Sequence, residues 1–348
     1  MKLKLIILVQ LFILHAYAHD KHKDSIVNRI IEERFIRING IEQWVTIKGN
    51  RTKPVILFLH GGPGSPLTPY ADTIYHNWEK DFILVQWDQR GAGKTFGLNA
   101  PAELNPDYLR SNPLTLEQMT TDGIELTKYL IKYLGKQKVI LFGTSWGSAL
   151  GVKMAVKEPE LFYAYIGHSQ VVNPSASLIF GYQKVYAMAQ ATKDQQSLDV
   201  LNSIGKPPYD TAKNAGRLLR IIKKYQQKNT VSAPDSWMES STEYNSEKDN
   251  QNRSDGDDYS FINYMGDKKY GIVSMSSTIN LMKDDLVFKI PVYIIQGEED
   301  ILTPEPITKE YFKKISAPKK KFILLAKTEH GFNISAIDTQ YKIMKEYL

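Results

Sequence analysis

The sequence predicts an α/β fold in which a mostly parallel, doubly wound sheet carries an inserted helical cap. Short apolar segments without polar alternation recur along the chain, and such segments are typical of parallel strands buried on both faces. Helix-like segments separate several of them, which favours a parallel sheet. Between residues 173 and 285 this alternation stops and mainly helical segments follow, so we expect an insertion between two core strands.

The first predicted element is a β-hairpin. Residues 34–38 and 41–47 are separated by Asn39-Gly40, and Asn-Gly accepts the positive φ angles of a tight type I′ turn. Further strands are predicted at residues 55–59, 82–87, 139–142, 163–167, 292–295 and 322–326. Helices are predicted at residues 116–134, 148–156, 178–191 and 212–227. Because ligands bind at the carboxyl ends of parallel strands, we expect functional residues directly after these strands.

The predicted domain organisation is one core in two parts, residues 19–172 and 286–348, with the cap at residues 173–285 between them. An insertion at this place typically covers an active site and controls substrate entry. The alternative is a surface excursion without a functional role. Within the cap, residues 239–260 are rich in Ser, Asn, Asp and Glu, and this composition predicts a loop or a partly disordered segment.

The N-terminus has the pattern of an export signal. Lys2 and Lys4 precede an apolar run at residues 5–14, and Ala16-Tyr17-Ala18 has small residues at the two positions that a signal peptidase recognises. The run is shorter than the roughly 20 residues that span a bilayer. We therefore predict a signal peptide at residues 1–18 and a periplasmic or secreted protein with no stable membrane insertion after cleavage. An N-terminal membrane anchor is the alternative.

The composition excludes several classes of function. The chain has no cysteine, so it cannot form a disulfide, a thiol nucleophile or a thiolate metal site. No HExxH, clustered-histidine or EF-hand pattern occurs, and we expect neither a metal nor another cofactor. Without Lys2 and Lys4 the net charge of +6 falls to +4, which is modest for this length, and the basic residues are scattered, so nucleic acid is not an expected partner.

The strongest functional motif is a candidate nucleophile elbow. Gly143-Thr144-Ser145-Trp146-Gly147 fits G-x-S-x-G and lies between a predicted strand and a predicted helix. In that setting the turn is strained and presents the Ser145 hydroxyl at the carboxyl edge of the sheet. Outside it, the pattern describes an ordinary turn. We predict that Ser145 is a catalytic nucleophile.

A serine hydroxyl needs a base to take its proton, and His330 is the predicted base. It follows the last predicted strand, and the chain order serine, acid, histidine requires a late histidine. His60 and His168 also follow predicted strands and are the competing candidates. We interpret both as packing or loop residues.

The acid that orients the histidine is predicted to be Asp300. It lies in Gly297-Glu298-Glu299-Asp300, after the predicted strand at residues 292–295. A carboxylate there would accept the Nδ1 proton of His330 and stabilise the imidazolium that forms during acyl transfer. Glu298 and Glu299 are the alternatives, since they are close to Asp300 in sequence.

Two backbone amides are predicted to form an oxyanion hole. One is the N–H of Trp146, which follows the nucleophile, and the other comes from the glycine loop at residues 60–64, where Gly62 is favoured over Gly61. A second glycine-rich segment, residues 91–95, resembles a phosphate loop, but the P-loop pattern requires glycine where Asp88 stands. We interpret that segment as a structural loop beside the active site.

Three segments in this order, His60-Gly61-Gly62-Pro63-Gly64, residues 87–94 (WDQRGAGK) and residues 143–148 (GTSWGS), resemble the proline iminopeptidase branch of the α/β-hydrolases. The resemblance covers nearly all of the predicted core. It implies a triad of Ser145, Asp300 and His330, an oxyanion hole from Gly62 and Trp146, and a helical cap. It also implies a serine peptidase that removes an N-terminal residue, often proline, from short peptides.

The cap resembles the family less closely. Family members bind the free α-amino group of the substrate with cap carboxylates, often from a tryptophan–glutamate motif, and Trp237-Met238-Glu239 is similar to it. The resemblance therefore implies Glu239 as an amino-group anchor, and a solvated surface glutamate is the alternative. Related enzymes with the same core motifs act on other small acyl substrates, so a carboxylester or lactone hydrolase is the alternative function. A binding protein that has lost catalysis is a third.

Overall fold

The computed structural model describes residues 28–348. The predicted signal peptide at residues 1–18 lies outside the described residues. The strands form one eight-stranded sheet in the order β1-β2-β4-β3-β5-β6-β7-β8. They are β1 Arg29–Ile38, β2 Ile41–Asn50, β3 Val55–Leu59, β4 Ile83–Trp87, β5 Val139–Thr144, β6 Phe162–His168, β7 Val292–Gly297 and β8 Lys320–Leu325. The β1–β2 and β2–β4 pairs are antiparallel and the others are parallel. The predicted fold class is confirmed.

Twelve α-helices lie between and after the strands within residues 28–348. They are α1 Ala71–Tyr75, α2 Gly93–Asn99, α3 Pro106–Ser111, α4 Leu116–Leu134, α5 Trp146–Lys157, α6 Pro174–Ala191, α7 Gln195–Ile204, α8 Ala212–Gln226, α9 Glu247–Met265, α10 Leu281–Asp284, α11 Glu305–Lys314 and α12 Ile334–Met344. The four predicted helices correspond to α4, α5, α6 and α8.

The hairpin turn has the predicted backbone conformation. Asn39 has φ 43° and Gly40 has φ 89°, which are the two positive angles of a type I′ turn. Ile38 and Ile41 pair directly across the turn, so the register of β1 and β2 follows from it.

The central strands are buried on both faces. Every residue of β3, β4 and β5 is buried. Leu57 packs into a core cluster with residues of α4 and α5, whereas its neighbour Phe58 packs into a second cluster with residues of α1 and α12. Successive side chains of a strand point to opposite faces, so helices must cover both sides of the sheet. β8 differs from this prediction because it is an edge strand, and Leu324 is 43% exposed.

The segment between β6 and β7 forms the helical insertion. Its helices α6, α7 and α8 share their own apolar cluster, which includes Val185, Leu201 and Ile222. Ile301, from the core loop after β7, belongs to the same cluster. The insertion therefore packs directly against the loop that carries Asp300.

The prediction of a loop or partly disordered segment at residues 239–260 is wrong for its second half, which lies in α9. Ser246 caps this helix by accepting a hydrogen bond from the amide of Asp249 at 3.1 Å. The Ser260 hydroxyl donates to the carbonyl of Gly91 at 2.7 Å, and Tyr259 is buried. The polar composition belongs to the exposed face of a helix whose other face is fixed by contacts with the core.

In the part of the chain that the structure describes, no helix combines the length and the apolar character needed to cross a membrane.

Candidate active site

Ser145 occupies a strained turn between β5 and α5. Its backbone has φ 52° and ψ −124°, outside the regions that non-glycine residues normally adopt. The flanking glycines are required by close contacts. A Cβ at Gly143 would lie 2.2 Å from the carbonyl oxygen of Gly147, and a Cβ at Gly147 would lie 2.0 Å from that of Leu59. The turn therefore has the geometry of a nucleophile elbow.

The structure brings Ser145, His330 and Asp300 into one hydrogen-bonded chain. The distance from Ser145 Oγ to His330 Nε2 is 2.8 Å. On the other side of the imidazole, Nδ1 lies 3.0 Å from Asp300 Oδ2 and 3.2 Å from Oδ1. Because the carboxylate accepts the Nδ1 proton, Nε2 is the nitrogen that accepts the hydroxyl proton of Ser145. This is the arrangement that activates a serine for attack on a carbonyl carbon.

The charges of the pair stabilise each other. Burial by itself lowers the pKa of His330, but the charge of Asp300 and its hydrogen bond outweigh burial and raise that pKa above its ordinary value of 6.5. Burial by itself raises the pKa of Asp300, but the His330 charge and the hydrogen bonds to the carboxylate lower that pKa below its ordinary value. Asp300 is therefore an anion at neutral pH and can stabilise an imidazolium beside it.

Two residues that the sequence analysis missed also bind Asp300. The Thr303 amide donates to Oδ1 at 2.7 Å, and the Thr303 hydroxyl donates to Oδ2 at 2.6 Å. The Gln296 side chain donates to Oδ2 at 3.1 Å. The spacing of Asp300 and Thr303 was the available signal, since an aspartate side chain commonly binds the amide three residues later. These donors fix the carboxylate in the orientation that meets His330.

The competing histidines and glutamates do not occupy this position. His168 and His60 are both buried, and burial lowers the pKa of each to about 4. Nδ1 of His168 contacts Gln340, and Nδ1 of His60 contacts the carbonyl of Gly61. Glu298 is exposed and Glu299 is half-buried, while the carboxylate in contact with His330 Nδ1 is that of Asp300. The two histidines thus remain neutral packing groups.

Gly62 and Trp146 line the same cavity as Ser145. Gly62 has φ 107°, and a Cβ on it would lie 2.3 Å from the Gly64 nitrogen, so this loop conformation requires glycine. His60 Nδ1 donates to the Gly61 carbonyl at 2.8 Å. In a trans peptide the following N–H points opposite to the carbonyl, so this bond directs the Gly62 amide away from His60. Gly62 and Trp146, the two predicted sources of oxyanion donors, thus both lie beside Ser145.

The family model for the alpha/beta hydrolase fold matches residues 54–336, which include both parts of the core and the insertion. The chain is an α/β-hydrolase. The hydrolase is 27% identical over 304 residues to "Probable aminopeptidase YbaC" of Bacillus subtilis (strain 168), covering 85% of this chain and 89% of that protein. It is 28% identical over 199 residues to "Proline iminopeptidase" of Clostridioides difficile (strain 630), covering 56% of this chain and 61% of that one.

Solved structures are similar in fold. The crystal structure of proline iminopeptidase from Mycobacterium smegmatis matches with a TM-score of 0.64 and 17% identity, covering 91% of this chain and 97% of that one. Epoxide hydrolases of the same superfamily from metagenomes of hot environments match with a TM-score of 0.56, also at 17% identity, covering 91% and 98%. The resemblance to the proline iminopeptidase branch stated from the motifs is confirmed, and the structural likeness at these identities shows the fold alone.

Gln89 connects the two loops that carry the predicted oxyanion donors of the hydrolase. Its side-chain carbonyl accepts the indole N–H of Trp146 at 3.0 Å, and its side-chain amide donates to the His60 carbonyl at 3.1 Å. Its backbone amide donates to His60 Nε2 at 3.1 Å. Gln89 is fully buried, so these bonds do not compete with water. Gln89 lies just before residues 91–95, for which only a structural loop beside the active site was predicted.

The neighbouring residues of that segment do not form a phosphate loop. The Lys94 ammonium lies 4.7 Å from the ring centre of Trp44 and 4.2 Å from that of Tyr244. The Asp88 carboxylate accepts the Lys94 amide at 2.9 Å, and burial raises the pKa of Asp88 to about 6. Asp88 therefore accepts a backbone amide at the start of α2, and the Lys94 ammonium packs on the rings of Trp44 and Tyr244.

The cavity at Ser145, which we call the inner cavity, is small and apolar. Its volume is about 90 Å³. Besides the catalytic loops, its walls come from cap helices and the loop after β7, and they include Val171, Leu178, Leu219, Phe261, Tyr264, Met265 and Leu302. Among residues 28–348, no charged side chain lines it. The inner cavity therefore suits one compact, uncharged group.

The structure does not bring Glu239 to this cavity. Glu239 is exposed and follows a short 3₁₀ turn at Asp235–Met238. Trp237 of the same motif lines a different concavity, which His330 also lines. The position of Glu239 is that of a solvated surface residue, which was the alternative interpretation.

Within the described residues, no group of three or more His, Cys, Asp or Glu side chains is arranged to hold a metal ion.

Proposed function

We propose that this hydrolase is an exported serine aminopeptidase of the proline iminopeptidase type, which releases N-terminal residues, often proline, from short peptides. The observation that carries the proposal is the continuous hydrogen-bonded chain from Ser145 through His330 to Asp300. The similarity to proteins named aminopeptidase and proline iminopeptidase supports the peptidase activity.

In the proposed acylation step, Ser145 Oγ attacks the carbonyl carbon of the first peptide bond. His330 Nε2 takes the hydroxyl proton, and the carbonyl oxygen becomes an anion held by the amides of Gly62 and Trp146. The protonated His330 then donates that proton to the nitrogen of the scissile bond. The C–N bond breaks, the shortened peptide leaves, and the N-terminal residue remains as an ester on Ser145.

Deacylation repeats these transfers with water. His330 takes a proton from a water molecule as the water oxygen attacks the ester carbon, and the same two amides bind the new oxyanion. The C–O bond to Ser145 breaks, and His330 returns the proton to Ser145 Oγ. The free amino acid leaves, and the enzyme is restored. Asp300 holds the imidazole in position and stabilises its positive charge in both steps.

The size of the inner cavity supports removal of a single residue. A volume of about 90 Å³ lined by Leu178, Phe261 and Met265 suits a compact side chain such as that of proline. This supports an acyl group of one residue.

One observation favours a second candidate, a carboxylester or lactone hydrolase with the same triad. Among residues 28–348, no carboxylate lines the inner cavity, and Glu239 is exposed. Burying a substrate ammonium without a partner is costly, so the cavity by itself prefers an uncharged acyl group. If the enzyme is an aminopeptidase, the substrate ammonium must be bound through water to a carboxylate that does not line the inner cavity.

A fluorogenic panel on the purified mature protein tests the two candidates. Unblocked prolyl and other aminoacyl amides, the same amides with an acylated amino group, and short acyl esters are each compared with Ser145→Ala as control. Cleavage of the prolyl amide that is lost on acylation supports the aminopeptidase. Ester cleavage without amide turnover supports the second candidate, and turnover by Ser145→Ala contradicts the serine mechanism.

Export is a separate part of the proposal and rests on the pattern of residues 1–18. Expression of the full chain in a bacterial host, followed by fractionation and N-terminal sequencing, tests it. We expect a mature protein that begins near His19 in the periplasm or the medium. An uncleaved chain retained in the membrane fraction would support the anchor instead.

A further inference from the structure

A second concavity, which we call the outer groove, is lined by His330 but not by Ser145. The core loop that precedes and includes α1, cap helix α8 and the 3₁₀ turn at Asp235–Met238 form its walls. Its volume is about 610 Å³, several times that of the inner cavity. His330 lines the outer groove, whereas Ser145, Gly62 and Trp146 line the inner cavity. Leu219 and Leu302 line both, so the two spaces are neighbours at these leucines.

In acyl transfer, the acyl part and the leaving group of a substrate extend in opposite directions from the scissile bond. The carbonyl group must reach Ser145 and the oxyanion amides, which places the acyl part in the inner cavity. The leaving atom must receive its proton from His330 Nε2, so the leaving group must lie on the His330 side. The outer groove is the space that continues from there.

The surface of the outer groove is suited to an apolar or aromatic group. The rings of Tyr70, Trp237 and Phe332 are half-buried and pack against the core cluster behind them. The Phe332 ring lies 5.4 Å from the His168 ring and 6.5 Å from the Tyr75 ring. Aromatic rings that are partly buried in this way offer apolar surface to a flat ligand with little loss of side-chain entropy.

Charge does not select the occupant of the outer groove. Lys223 of α8 lines it together with Asp235 and Glu329, so both signs are present. Glu329 is half-buried and accepts a long hydrogen bond from Gln226 at 3.5 Å. The rings are therefore the feature that distinguishes one leaving group from another.

We propose that the outer groove binds the leaving group and selects a large apolar or aromatic one. For a peptide, this is the side chain that follows the scissile bond. The inference rests on the proposed serine mechanism, but it does not depend on whether the acyl group is an amino acid. It assigns specificity on the leaving-group side to Trp237 and Tyr70, and specificity on the acyl side to the inner cavity.

Two substrate pairs test this assignment. The first pair is Pro-Phe amide and Pro-Gly amide, and the second is the benzyl and methyl esters of one short acyl group. Within each pair the acyl-enzyme is identical and only the leaving group differs. We expect the wild type to favour the aromatic member of each pair by about tenfold in kcat/KM, the scale of one aromatic contact. Trp237→Ala should reduce this preference to about twofold or less.

A structural defect is distinguishable from loss of the subsite. Hydrolysis of the shared acyl-enzyme follows departure of the leaving group, so its rate in Trp237→Ala should equal that of the wild type. The matched control is Tyr270→Ala, which removes a partly exposed ring outside the groove and should retain the full preference. Tyr70→Ala is the second variant if Trp237→Ala does not fold, as judged by circular dichroism.

Equal rates for both members of each pair in the wild type would overturn the proposal. So would a Trp237→Ala variant that slows both members equally. If only the esters are cleaved and the benzyl preference depends on Trp237, the groove assignment stands and the aminopeptidase proposal fails. If Ser145→Ala still cleaves both pairs, the serine mechanism fails and the groove assignment fails with it.

Discussion

The indole N–H of Trp146 donates to the side-chain carbonyl of Gln89 at 3.0 Å, although 57 residues separate them in the chain. The same Gln89 side chain donates to the His60 carbonyl, and His60 binds the carbonyl of Gly61. The residue proposed to supply one oxyanion amide is thus hydrogen-bonded, through Gln89, to the loop proposed to supply the other. Catalysis by such donors depends on their fixed separation, because they must meet the oxyanion without rearrangement.

Gln89→Leu should therefore lower kcat by about 10- to 100-fold, somewhat less than the loss of one oxyanion donor. KM should change little, since the substrate-lining walls remain. Steady-state kinetics measure both parameters. The pH at which activity is half-lost should not move, because Gln89 does not contact His330. A raised KM with normal kcat would contradict the role of Gln89 in positioning the donors.

Ser145→Ala should lower kcat by roughly 10⁴- to 10⁶-fold, because the acyl-enzyme cannot form. The fold should be retained, since the hydrogen bond that the hydroxyl makes within residues 28–348 is that to His330 Nε2, and the strained backbone is kept. Active-site labelling with a fluorophosphonate should also be lost. Ser335→Ala, an exposed serine in α12, is the matched control and should label like the wild type. Labelling of Ser145→Ala would identify a different nucleophile.

The activity should fall on acidification with a midpoint above pH 6.5. His330 must be neutral to accept the Ser145 proton, and Asp300 raises the pKa of His330 above its ordinary value. Activity is therefore present above that pKa and is lost as the pH falls through it. Asp300→Asn should move the midpoint of kcat/KM to lower pH and reduce kcat by up to about 10⁴-fold. A midpoint that is unchanged or higher in Asp300→Asn would contradict this coupling.

Thr303→Val should weaken the Asp300–His330 pair without removing it. The variant lacks the hydroxyl that donates to Asp300 Oδ2 at 2.6 Å, while the backbone amide still binds Oδ1. A hydrogen bond to a charged group stabilises a protein by about 1.5–3 kcal/mol, so both kcat and the free energy of unfolding should fall. Thr303→Ser retains the hydroxyl, so its kcat, its pH profile and its free energy of unfolding should be close to those of the wild type. A Thr303→Ser variant as defective as Thr303→Val would contradict the role of the hydroxyl, because serine retains it.

Asp122→Ala should destabilise the fold far more than loss of a surface ion pair. Asp122 is fully buried and accepts from Arg90 Nε at 2.7 Å and from Gln43 at 3.0 Å. Removing it leaves a poorly exposed guanidinium without its counter-ion, which costs about 3–5 kcal/mol. The control Asp107→Ala breaks the exposed pair with Arg110 and should cost about 1 kcal/mol or less. Urea unfolding of both variants compares the two values, and equal values would contradict the prediction.

The elements of the fold were predictable because their signals are local. The helix predicted at residues 116–134 has these same bounds in the structure, since Thr115 caps it and Gly135 ends it with a left-handed conformation. The Ser145 turn was predictable because its glycines, the preceding strand and the following helix are adjacent in the chain. His330 and Asp300 could be proposed because the order of strands restricts which segments reach one edge of the sheet. Their catalytic roles stay predictions until the variants are measured.

The sequence by itself determined the α/β architecture, the hairpin, the nucleophile turn and the residues proposed for the triad. Tertiary structure alone decided that α9 is a helix, because its contacts, such as Ser260 with Gly91, join residues 169 positions apart. It also decided that Gln89 ties Trp146 to His60 and that Glu239 faces solvent. Composition and periodicity report only which side chains are apolar and how often they recur. Which distant groups meet, and what cavity they leave between them, depends on how the cap packs onto the sheet.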